Sequence, residues 1–301
     1  MPEREELTSR TLPFMKLSDG SEASMTGPPA PLPHYLNAEG RSMARFAVEG
    51  NIVVTGGAGT LGLSAARALL EHGASGVALW DLESTLRTSQ TSILALAKDF
   101  PSTRIFGLAV DVTDVSAISQ AVDSVVKTLG SIDHLYCFAG IVGCVHAIEM
   151  TDSQWRKTLD VNTTGAFLCA QAVAKQFIEQ KSGGTVTLIA SISAHRVNYP
   201  QAQIAYNVSK AAIVAMKASL AAEWAVHGIR VNSISPGYMD TILNAGDGNI
   251  AEARASWAER NPMGRMGSVG ELDGVCVLLG SRAGSYINGA DIVVDGGSTV
   301  F

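Results

Sequence analysis

The alternation of short apolar runs with helical patterns constrains the fold of this chain more than any other feature. From about residue 46 onward, helical or helix-containing segments separate seven such runs: NIVVTG, GVALWD, RIFGLAVDV, DHLYCFAG, GTVTLIAS, IRVNSISPG and ADIVVDGG. Strands that are apolar on both faces and separated by helices indicate a parallel sheet covered on both sides. We therefore predict an α/β fold with one doubly wound domain over residues 46–301, a seven-stranded parallel sheet and helices on both faces.

Residues 1–45 differ from the rest of the chain. The stretch SDGSEASMTGPPAPLPHYLNAEG contains glycine, serine and proline without a sustained period. Such a composition is typical of segments that do not build a packed core. We expect an N-terminal extension that is either disordered or an arm lying across a neighbouring subunit or the rim of a pocket.

Composition limits the partners of the chain. The net charge is −6 and only 17% of the 301 residues are charged, so no electrostatic attraction to nucleic acid or an anionic membrane is expected. No apolar run approaches the roughly 20 residues that span a bilayer. The four cysteines lack the spacing of metal ligands, so we expect reduced thiols, no metal site and a cytoplasmic protein.

The loop TGGAGTLG joins the first predicted strand to a helix, which is the arrangement of a Rossmann-type dinucleotide site. Glycines allow the backbone to turn sharply and to approach a pyrophosphate, while the helix N-terminus supplies free N–H groups. The loop fits two glycine patterns at once, one through Gly57, Gly59 and Gly62 and the other through Thr55, Gly56, Gly59 and Gly62. The loop alone does not distinguish them.

Two aspartates follow predicted strands and are candidates for the adenosine end of the cofactor. Asp81 ends GVALWD, where a carboxylate can accept hydrogen bonds from both ribose hydroxyls and would repel a 2′-phosphate. The nearest basic residue downstream is Arg87, so we predict that NAD(H) is favoured over NADP(H). Asp111 could face the adenine. Capping of the helix that follows is the alternative for each aspartate.

The sequence AYNVSKAA places Tyr206 and Lys210 on one face of a helix, because they are four residues apart. An ammonium group beside a phenol favours the phenolate and is expected to lower the tyrosine pKa from about 10. A tyrosine of this kind can exchange a proton with an alcohol oxygen. On spacing alone, an exposed helix face is the commoner explanation of such a pair.

Three further polar residues strengthen the catalytic interpretation. Ser191 ends the strand GTVTLIAS at the edge where a parallel sheet presents its ligands, and its hydroxyl could polarise a carbonyl. Ser193 competes with it for this role. Asn162 lies in the helix after the fourth strand, where asparagine is a poor helix former; a polar function and a solvent-facing position are equally good explanations.

From about residue 47 to the end, the chain resembles the short-chain dehydrogenase/reductase family. The matching pieces are TGGAGTLG, the strand-end aspartate, DV at 111–112, DVN at 160–162, Ser191, YNVSK, IRVNSISPG and DGG at 295–297. The resemblance implies that Tyr206 is the general acid/base, Lys210 its partner, Ser191 the group that orients the carbonyl and Asn162 the anchor of a water. The cofactor contacts that it implies are Thr55, Gly56, Gly59, Thr60, Leu61, Gly62, Asp81, Asp111, Val112, Ala139, Gly140, Tyr206, Lys210, Pro236, Gly237 and Thr241.

The sequence departs from the family pattern at two places. The family usually has glycine at position 60, where this chain has Thr60. The usual N-N-A-G after the fourth strand is CFAG here, so only Ala139 and Gly140 are kept and an asparagine contact is lost. Neither change touches the proton-transfer residues.

Within the family, SISAHRVNYPQAQIAYNVSK followed by PGYMDT resembles the fungal polyol dehydrogenases, which interconvert sugar alcohols and ketoses. His195, Asn198, Gln201 and Gln203 could bind a polyhydroxylated chain, or form an ordinary polar loop. Residues 238–265 lie where the family has its substrate lid, and Trp257 and Met263 could equally close over an apolar ketone.

The sequence therefore predicts an NAD(H)-dependent oxidoreductase that interconverts a secondary alcohol and a ketone, with a sugar alcohol and its ketose as the first choice. The alternative is a reductase of a non-sugar carbonyl compound, and a more remote one is a non-catalytic dinucleotide-binding protein. The resemblance also implies a homotetramer built largely through the helices around 152–180 and 204–226 and the last strand.

Overall fold

The computed structural model describes residues 11–21, 24–241 and 248–300. Seven strands form one sheet with the spatial order β3-β2-β1-β4-β5-β6-β7, and every neighbouring pair is parallel. The strands are β1 (Asn51–Thr55), β2 (Gly76–Asp81), β3 (Arg104–Ala109), β4 (His134–Cys137), β5 (Gly184–Ile189), β6 (Ile229–Pro236) and β7 (Asp291–Val294). The predicted fold class, a doubly wound α/β domain, is confirmed.

Helices occupy the connections between the strands. They are α1 (Ala38–Phe46), α2 (Thr60–Glu71), α3 (Glu83–Thr88), α4 (Gln90–Asp99), α5 (Val115–Leu129), α6 (Asp152–Leu159), α7 (Ala166–Gln180), α8 (Ile204–Trp224), α9 (Asn249–Glu259) and α10 (Asp273–Gly280). A π-helical segment, Asp160–Gly165, joins α6 to α7, and a 3₁₀ turn, Ile192–Ala194, follows β5. No helix in the described ranges is long and apolar enough to cross a membrane.

The core consists of two apolar layers, one on each side of the sheet. Val53 and Trp80 face a layer that includes helices α5, α7 and α8, whereas their strand neighbours Ile52, Val54 and Leu79 face a layer that includes α2 and α10. All five side chains are fully buried. Because successive strand residues point to opposite faces, a strand covered on both sides must be apolar at every position. This explains the continuous apolar runs in the sequence.

The strand order fixes the position of the site. The chain moves outward from β1 to β3 and then returns to place β4 on the other side of β1. The loops after β1 and β4 therefore leave in opposite directions and open a crevice at the carboxyl ends of these two strands. Ligands of open α/β sheets bind at such a switch point.

The N-terminal segment lies against the domain where the structure describes it. The side chain of Arg282 donates hydrogen bonds to the carbonyl oxygens of Pro29 and Ala30, and Met25 lies beside Gly228. Helix α1, capped by Asn37, extends across the predicted boundary at residue 45. The expectation for residues 1–10 and 22–23 falls outside the described residues, and the division into extension and domain stays a prediction.

Candidate active site

The glycine loop between β1 and α2 is shaped by close approaches of its backbone. Gly56 has φ +65°, and a Cβ there would lie 2.6 Å from the backbone nitrogen of Ala139 in the neighbouring loop. A Cβ on Gly62 would overlap the carbonyl oxygen of Gly56 and lie 2.9 Å from the Cα of Gly57. These contacts require glycine at positions 56 and 62. A Cβ on Gly57 would likewise lie 2.6 Å from the carbonyl oxygen of Val54, so the close approaches require glycines of both patterns and do not choose between them.

The first turn of α2 is open to an anion. Its N-cap is Gly59, which supplies no side-chain cap, so the N–H groups of Thr60, Leu61 and Gly62 lack partners within the helix. A partial positive charge accumulates at such an end. An uncapped 12-residue helix behind a glycine turn fits the pyrophosphate of a dinucleotide. Thr60 is the first residue of this helix and is half-buried, so its side chain is compatible with the turn.

The two candidate aspartates make different contacts. One carboxylate oxygen of Asp81 accepts the backbone N–H of Ala58 at 3.1 Å, and the other accepts that of Leu82 at 2.8 Å. Asp81 therefore holds the glycine loop and does not cap α3. Asp111 accepts bonds from the backbone and hydroxyl of Thr113, which lower the pKa of its carboxyl. The cap of α5 is Asp114.

Asn162 lies in the π-helical segment and not in a regular α-helix, which corrects the predicted placement. A π turn adds one residue to the helical turn and is frequent at functional sites. The Asn162 amide accepts the N–H of Ile141 at 2.8 Å and donates to the carbonyl of Ile141 at 2.9 Å and to the Ser209 hydroxyl at 3.0 Å. Because Asn162 is 1% exposed, the solvent-facing alternative is wrong.

Lys210 is buried beside this asparagine. Its ammonium group donates to the carbonyl oxygen of Ile189 at the end of β5, at 2.7 Å. A Cβ on Gly140 would lie 3.6 Å from the Lys210 nitrogen and 3.3 Å from the Asn162 oxygen, so these groups surround one point of the backbone after β4. Burial lowers the pKa of Lys210 to about 8. A buried cation therefore lies next to the cofactor loop.

Tyr206 and Ser191 face each other across the carboxyl end of β5. The Lys210 nitrogen lies 5.6 Å from the centre of the Tyr206 ring, as the four-residue spacing predicts. Burial raises the pKa of Tyr206, while its interaction with the Ser191 hydroxyl lowers it by less. The expected lowering of this pKa is therefore wrong for the arrangement of groups described here, because burial of the phenol outweighs its interaction with Ser191. The phenol is protonated at neutral pH.

Ser193 supports Ser191. The Ser191 hydroxyl donates to that of Ser193 at 3.0 Å and accepts the Ser193 backbone N–H at 3.1 Å. Ser193 is in turn contacted by the amide of Gln203, at 3.4 Å. Of the two serines, Ser191 is the one whose hydroxyl interacts with Tyr206.

The remaining cofactor candidates lie along the same edge of the sheet. Ala139 donates its N–H to the Thr55 hydroxyl at 3.3 Å, which joins the loops after β1 and β4. Gly237 follows β6 and donates its N–H to Val294 at 2.9 Å. Val112 is buried and packs against Gly165, and Pro236 is the last residue of β6. Thr241, a few residues later, is 9% exposed.

The polar residues expected to bind a sugar separate into two groups. The imidazole of His195 contacts the carboxylate of Asp291 at 2.9 Å and the hydroxyl of Ser235 at 3.1 Å. Asn198 and Gln201 instead contact the hydroxyl of Tyr238. Sequence reasoning had not singled out the side chain of Tyr238, although its position directly after Pro236-Gly237 marks it. Ser209, the hydroxyl partner of Asn162, was also missed, and its place between Tyr206 and Lys210 was the available signal.

Comparison with known proteins decides the family. A family model described as enoyl-(acyl carrier protein) reductase matches residues 56–299, which is most of the chain. The chain belongs to the short-chain dehydrogenase/reductase family. A short-chain dehydrogenase/reductase structure from Mycobacterium marinum superimposes with a TM-score of 0.79 at 36% identity, covering 85% of this chain and 98% of that one. The chain is an oxidoreductase that acts on CH–OH groups with NAD(P), like the other members it resembles.

Two relatives within the short-chain dehydrogenase/reductase family are named for a sugar alcohol or a sugar. The NADP-dependent mannitol dehydrogenase of Hypocrea jecorina is 37% identical over 276 residues, covering 89% of this chain and 99% of that protein. The sorbose reductase SOU1 of Candida albicans is 34% identical over 264 residues, covering 84% of this chain and 89% of that protein. The predicted resemblance to polyol dehydrogenases of the family is confirmed.

The predicted preference for NAD(H) is wrong by the same comparison. The Hypocrea relative and others of the same name are NADP-dependent, which points to NADP rather than NAD. The prediction rested on the carboxylate of Asp81. That carboxylate is bonded to the N–H groups of Ala58 and Leu82, so it has a structural reason to be present whichever cofactor binds. A strand-end aspartate was therefore not a safe marker of the cofactor.

Proposed function

We propose that this short-chain dehydrogenase/reductase interconverts a sugar alcohol and its ketose with NADP(H). The observation that carries the proposal is the convergence of Tyr206, Ser191 and Lys210 at the carboxyl end of β5, beside the uncapped N-terminus of α2. The mannitol and sorbose names of the relatives support the choice of substrate. Bound NADPH would supply the hydride that reduces the carbonyl carbon.

In the direction of reduction, the residues act on the carbonyl oxygen. The Ser191 hydroxyl orients that oxygen by a hydrogen bond. Tyr206, whose pKa is raised by burial, holds its proton at neutral pH and donates it to the oxygen as negative charge develops there. The Lys210 ammonium lies next to the ring and stabilises the phenolate that remains. In the reverse direction the phenolate removes the proton of the alcohol.

The other candidate residues hold the cofactor and the loops around it. Thr60, Leu61 and Gly62 offer backbone N–H groups to the pyrophosphate, and Asn162 fixes the loop after β4 through both polar groups of Ile141. We further propose that the protein acts in the cytoplasm as a homotetramer. The four unpaired cysteines fit a reducing compartment, and the family resemblance supports the tetramer.

The test is a panel of ketoses, polyols and non-sugar ketones, each assayed with NADPH and NADH. We expect ketohexose reduction with NADPH, and a Tyr206→Phe variant that loses about a hundredfold or more in kcat while still binding NADPH. Tyr286→Phe is the matched control, because Tyr286 is fully exposed and its hydroxyl touches no described residue of the site. Turnover confined to non-sugar ketones would contradict the proposed substrate, and an active Tyr206→Phe enzyme would contradict the mechanism.

A further inference from the structure

Two serines at the carboxyl end of β5 form a closely bonded pair. The Ser191 hydroxyl donates to the Ser193 hydroxyl at 3.0 Å and accepts the backbone N–H of Ser193 at 3.1 Å. Both residues are buried, Ser191 with 8% of its surface exposed and Ser193 with 5%. The proton of Ser191 is therefore directed at Ser193 in this structure, whereas the proposed reduction needs it on the carbonyl oxygen of the substrate.

Substrate binding must therefore turn the Ser191 hydroxyl away from Ser193. A hydroxyl carries one proton and can accept two hydrogen bonds. Once Ser191 donates to the carbonyl, the Ser193 oxygen no longer receives its proton, and Ser193 can donate its own proton to the Ser191 oxygen. The separation of 3.0 Å allows the bond in either direction. The pair can thus reverse its direction without losing a bond.

The amide of Gln203 sets the direction that the pair takes after this reversal. Gln203 is 6% exposed and directly precedes α8, and its side chain does not cap that helix. Its amide nitrogen contacts the Ser193 oxygen at 3.4 Å and the side-chain oxygen of Asn207 at 3.2 Å. An amide nitrogen can only donate. Ser193 therefore accepts from Gln203, and its own proton is left for Ser191.

The loop after β4 holds Gln203 in this orientation. The backbone of Val145 forms a parallel bridge with that of Gln203. The thiol of Cys144 donates to the amide oxygen of Gln203 at 3.9 Å, so this oxygen faces the loop while the amide nitrogen faces Ser193. The loop after β4, the turn after β5 and the start of α8 therefore meet at one side chain.

A row of hydroxyl groups of this kind polarises its last member. Hydrogen bonds in a chain strengthen one another where the local dielectric constant is low. When Ser193 donates to the Ser191 oxygen, the proton of Ser191 becomes a better donor to the carbonyl oxygen. Negative charge develops on that oxygen in the transition state, so the gain is larger there than in the bound ground state. The expected effect is a higher kcat and not a tighter binding of the substrate.

We propose that Ser193 and Gln203 are positioning residues that act through Ser191, in a donor chain that runs from the Gln203 amide through both hydroxyls to the carbonyl oxygen. Neither positioning residue touches the substrate, and Ser191 is the group that bonds the carbonyl. The inference rests on the carbonyl reduction in the proposed function and does not depend on which ketone is reduced.

The test is a double-mutant cycle through Ser191. Ser193→Ala, Gln203→Met and Gln203→Glu are made in wild type and in the Ser191→Ala protein. Both kcat and KM are measured with NADPH on D-fructose, or on cyclohexanone if only non-sugar ketones are reduced. Gln203→Glu keeps the size of the side chain but replaces the donor by an acceptor. Gln120→Met is the matched control, because Gln120 is exposed on α5 and its amide bonds the Ser116 hydroxyl.

We expect Ser193→Ala to lose about tenfold in kcat, and Gln203→Met about threefold because its bond is the longer one. Gln203→Glu should lose at least as much as Gln203→Met. For Ser193→Ala the KM should stay the same or fall, since Ser193 no longer competes with the substrate for the Ser191 proton. In the Ser191→Ala protein none of the three changes should lower kcat further. Gln120→Met should match wild type.

NADPH titration and thermal unfolding of every variant exclude a folding defect as the cause of a loss. If the Ser191→Ala protein is too slow to follow, the separate changes in kcat and KM decide. Losses that multiply with that of Ser191→Ala, or a KM that rises while kcat is unchanged, would mean that Ser193 or Gln203 acts independently of Ser191. Either result refutes the inference.

The outcomes for the wild type separate this inference from the proposed function. If wild type reduces cyclohexanone but not D-fructose, the proposed sugar substrate fails and the cycle still decides the inference. If wild type reduces D-fructose and the cycle shows independent effects, the function stands and the inference fails. If wild type reduces neither ketone with NADPH, both fail.

Discussion

Replacing Lys210 by methionine should change the way that stability depends on pH. Lys210 is 5% exposed, and burial lowers the pKa of its ammonium from 10.5 to about 8. At about 1.36 kcal/mol per pH unit, this difference corresponds to about 3 kcal/mol. Below pH 8 both the folded and the unfolded chain hold the proton. Between pH 8 and 10.5 only the unfolded chain holds it, so the contribution of Lys210 to stability rises with pH over this window.

The measurement is urea unfolding of wild type and Lys210→Met from pH 7 to pH 10.5, without cofactor and at one protein concentration. The difference between the two proteins cancels the other titrating groups. We expect the free energy of unfolding of wild type, relative to the variant, to increase by about 3 kcal/mol across the window. At pH 7 the variant loses only the bond to the Ile189 carbonyl, about 1 kcal/mol, and is relieved of the buried charge. A difference that stays constant, or that falls as the pH rises, would refute the reasoning.

Two further predictions concern residues near the site. Gly62→Ala should lower the free energy of unfolding by more than about 1 kcal/mol and should also lower NADPH affinity, because its Cβ overlaps the Gly56 carbonyl. The control is Gly274→Ala on α10, which should not destabilise the protein because a Cβ there meets nothing within 4 Å. Urea unfolding and NADPH titration check both variants, and an undamaged Gly62→Ala protein would contradict the close approach. His195→Ala should change kcat/KM for the ketose by less than about twofold, because both ring contacts described for it are to protein groups, those of Asp291 and Ser235. A selective rise in KM would contradict this.

The fold was predictable because strand periodicity and burial are local signals. Elements whose bounds depend on contacts between residues far apart in the sequence were not predictable. The segment LRTSQTSILALAKDF has a continuous helical pattern, but α3 ends at Thr88 and α4 begins at Gln90. The break lies at Ser89, whose hydroxyl donates to the carbonyl of Ala58 in the glycine loop at 2.7 Å. That contact joins residues 31 positions apart, so no local propensity reveals it.

The pairing of Tyr206 with Lys210 was predictable because four residues separate them on one helix. The directions of the side chains that follow β5 and β6 were not predictable. The 3₁₀ turn after β5 is followed by His195, whose ring contacts Asp291, 96 residues away in the sequence. Tyr238 is a second case, since its stack with Trp257 and the bonds of its hydroxyl to Asn198 and Gln201 join residues that lie far apart in the sequence. Periodicity also missed the π turn at Asn162, which depends on bonds to another loop and another helix.

The altered CFAG sequence does not argue for a protein without activity. Among the described contacts, Phe138 donates its N–H to the Thr55 carbonyl at 2.9 Å, and Ile141 is held through both backbone groups by Asn162. The loop after β4 is thus anchored without the usual asparagine. Burial raises the pKa of the Cys137 thiol to about 12, so it remains neutral and leaves the charge of Lys210 uncompensated. Because that charge is what stabilises the Tyr206 phenolate, the substitution preserves the condition that the proposed proton transfer needs.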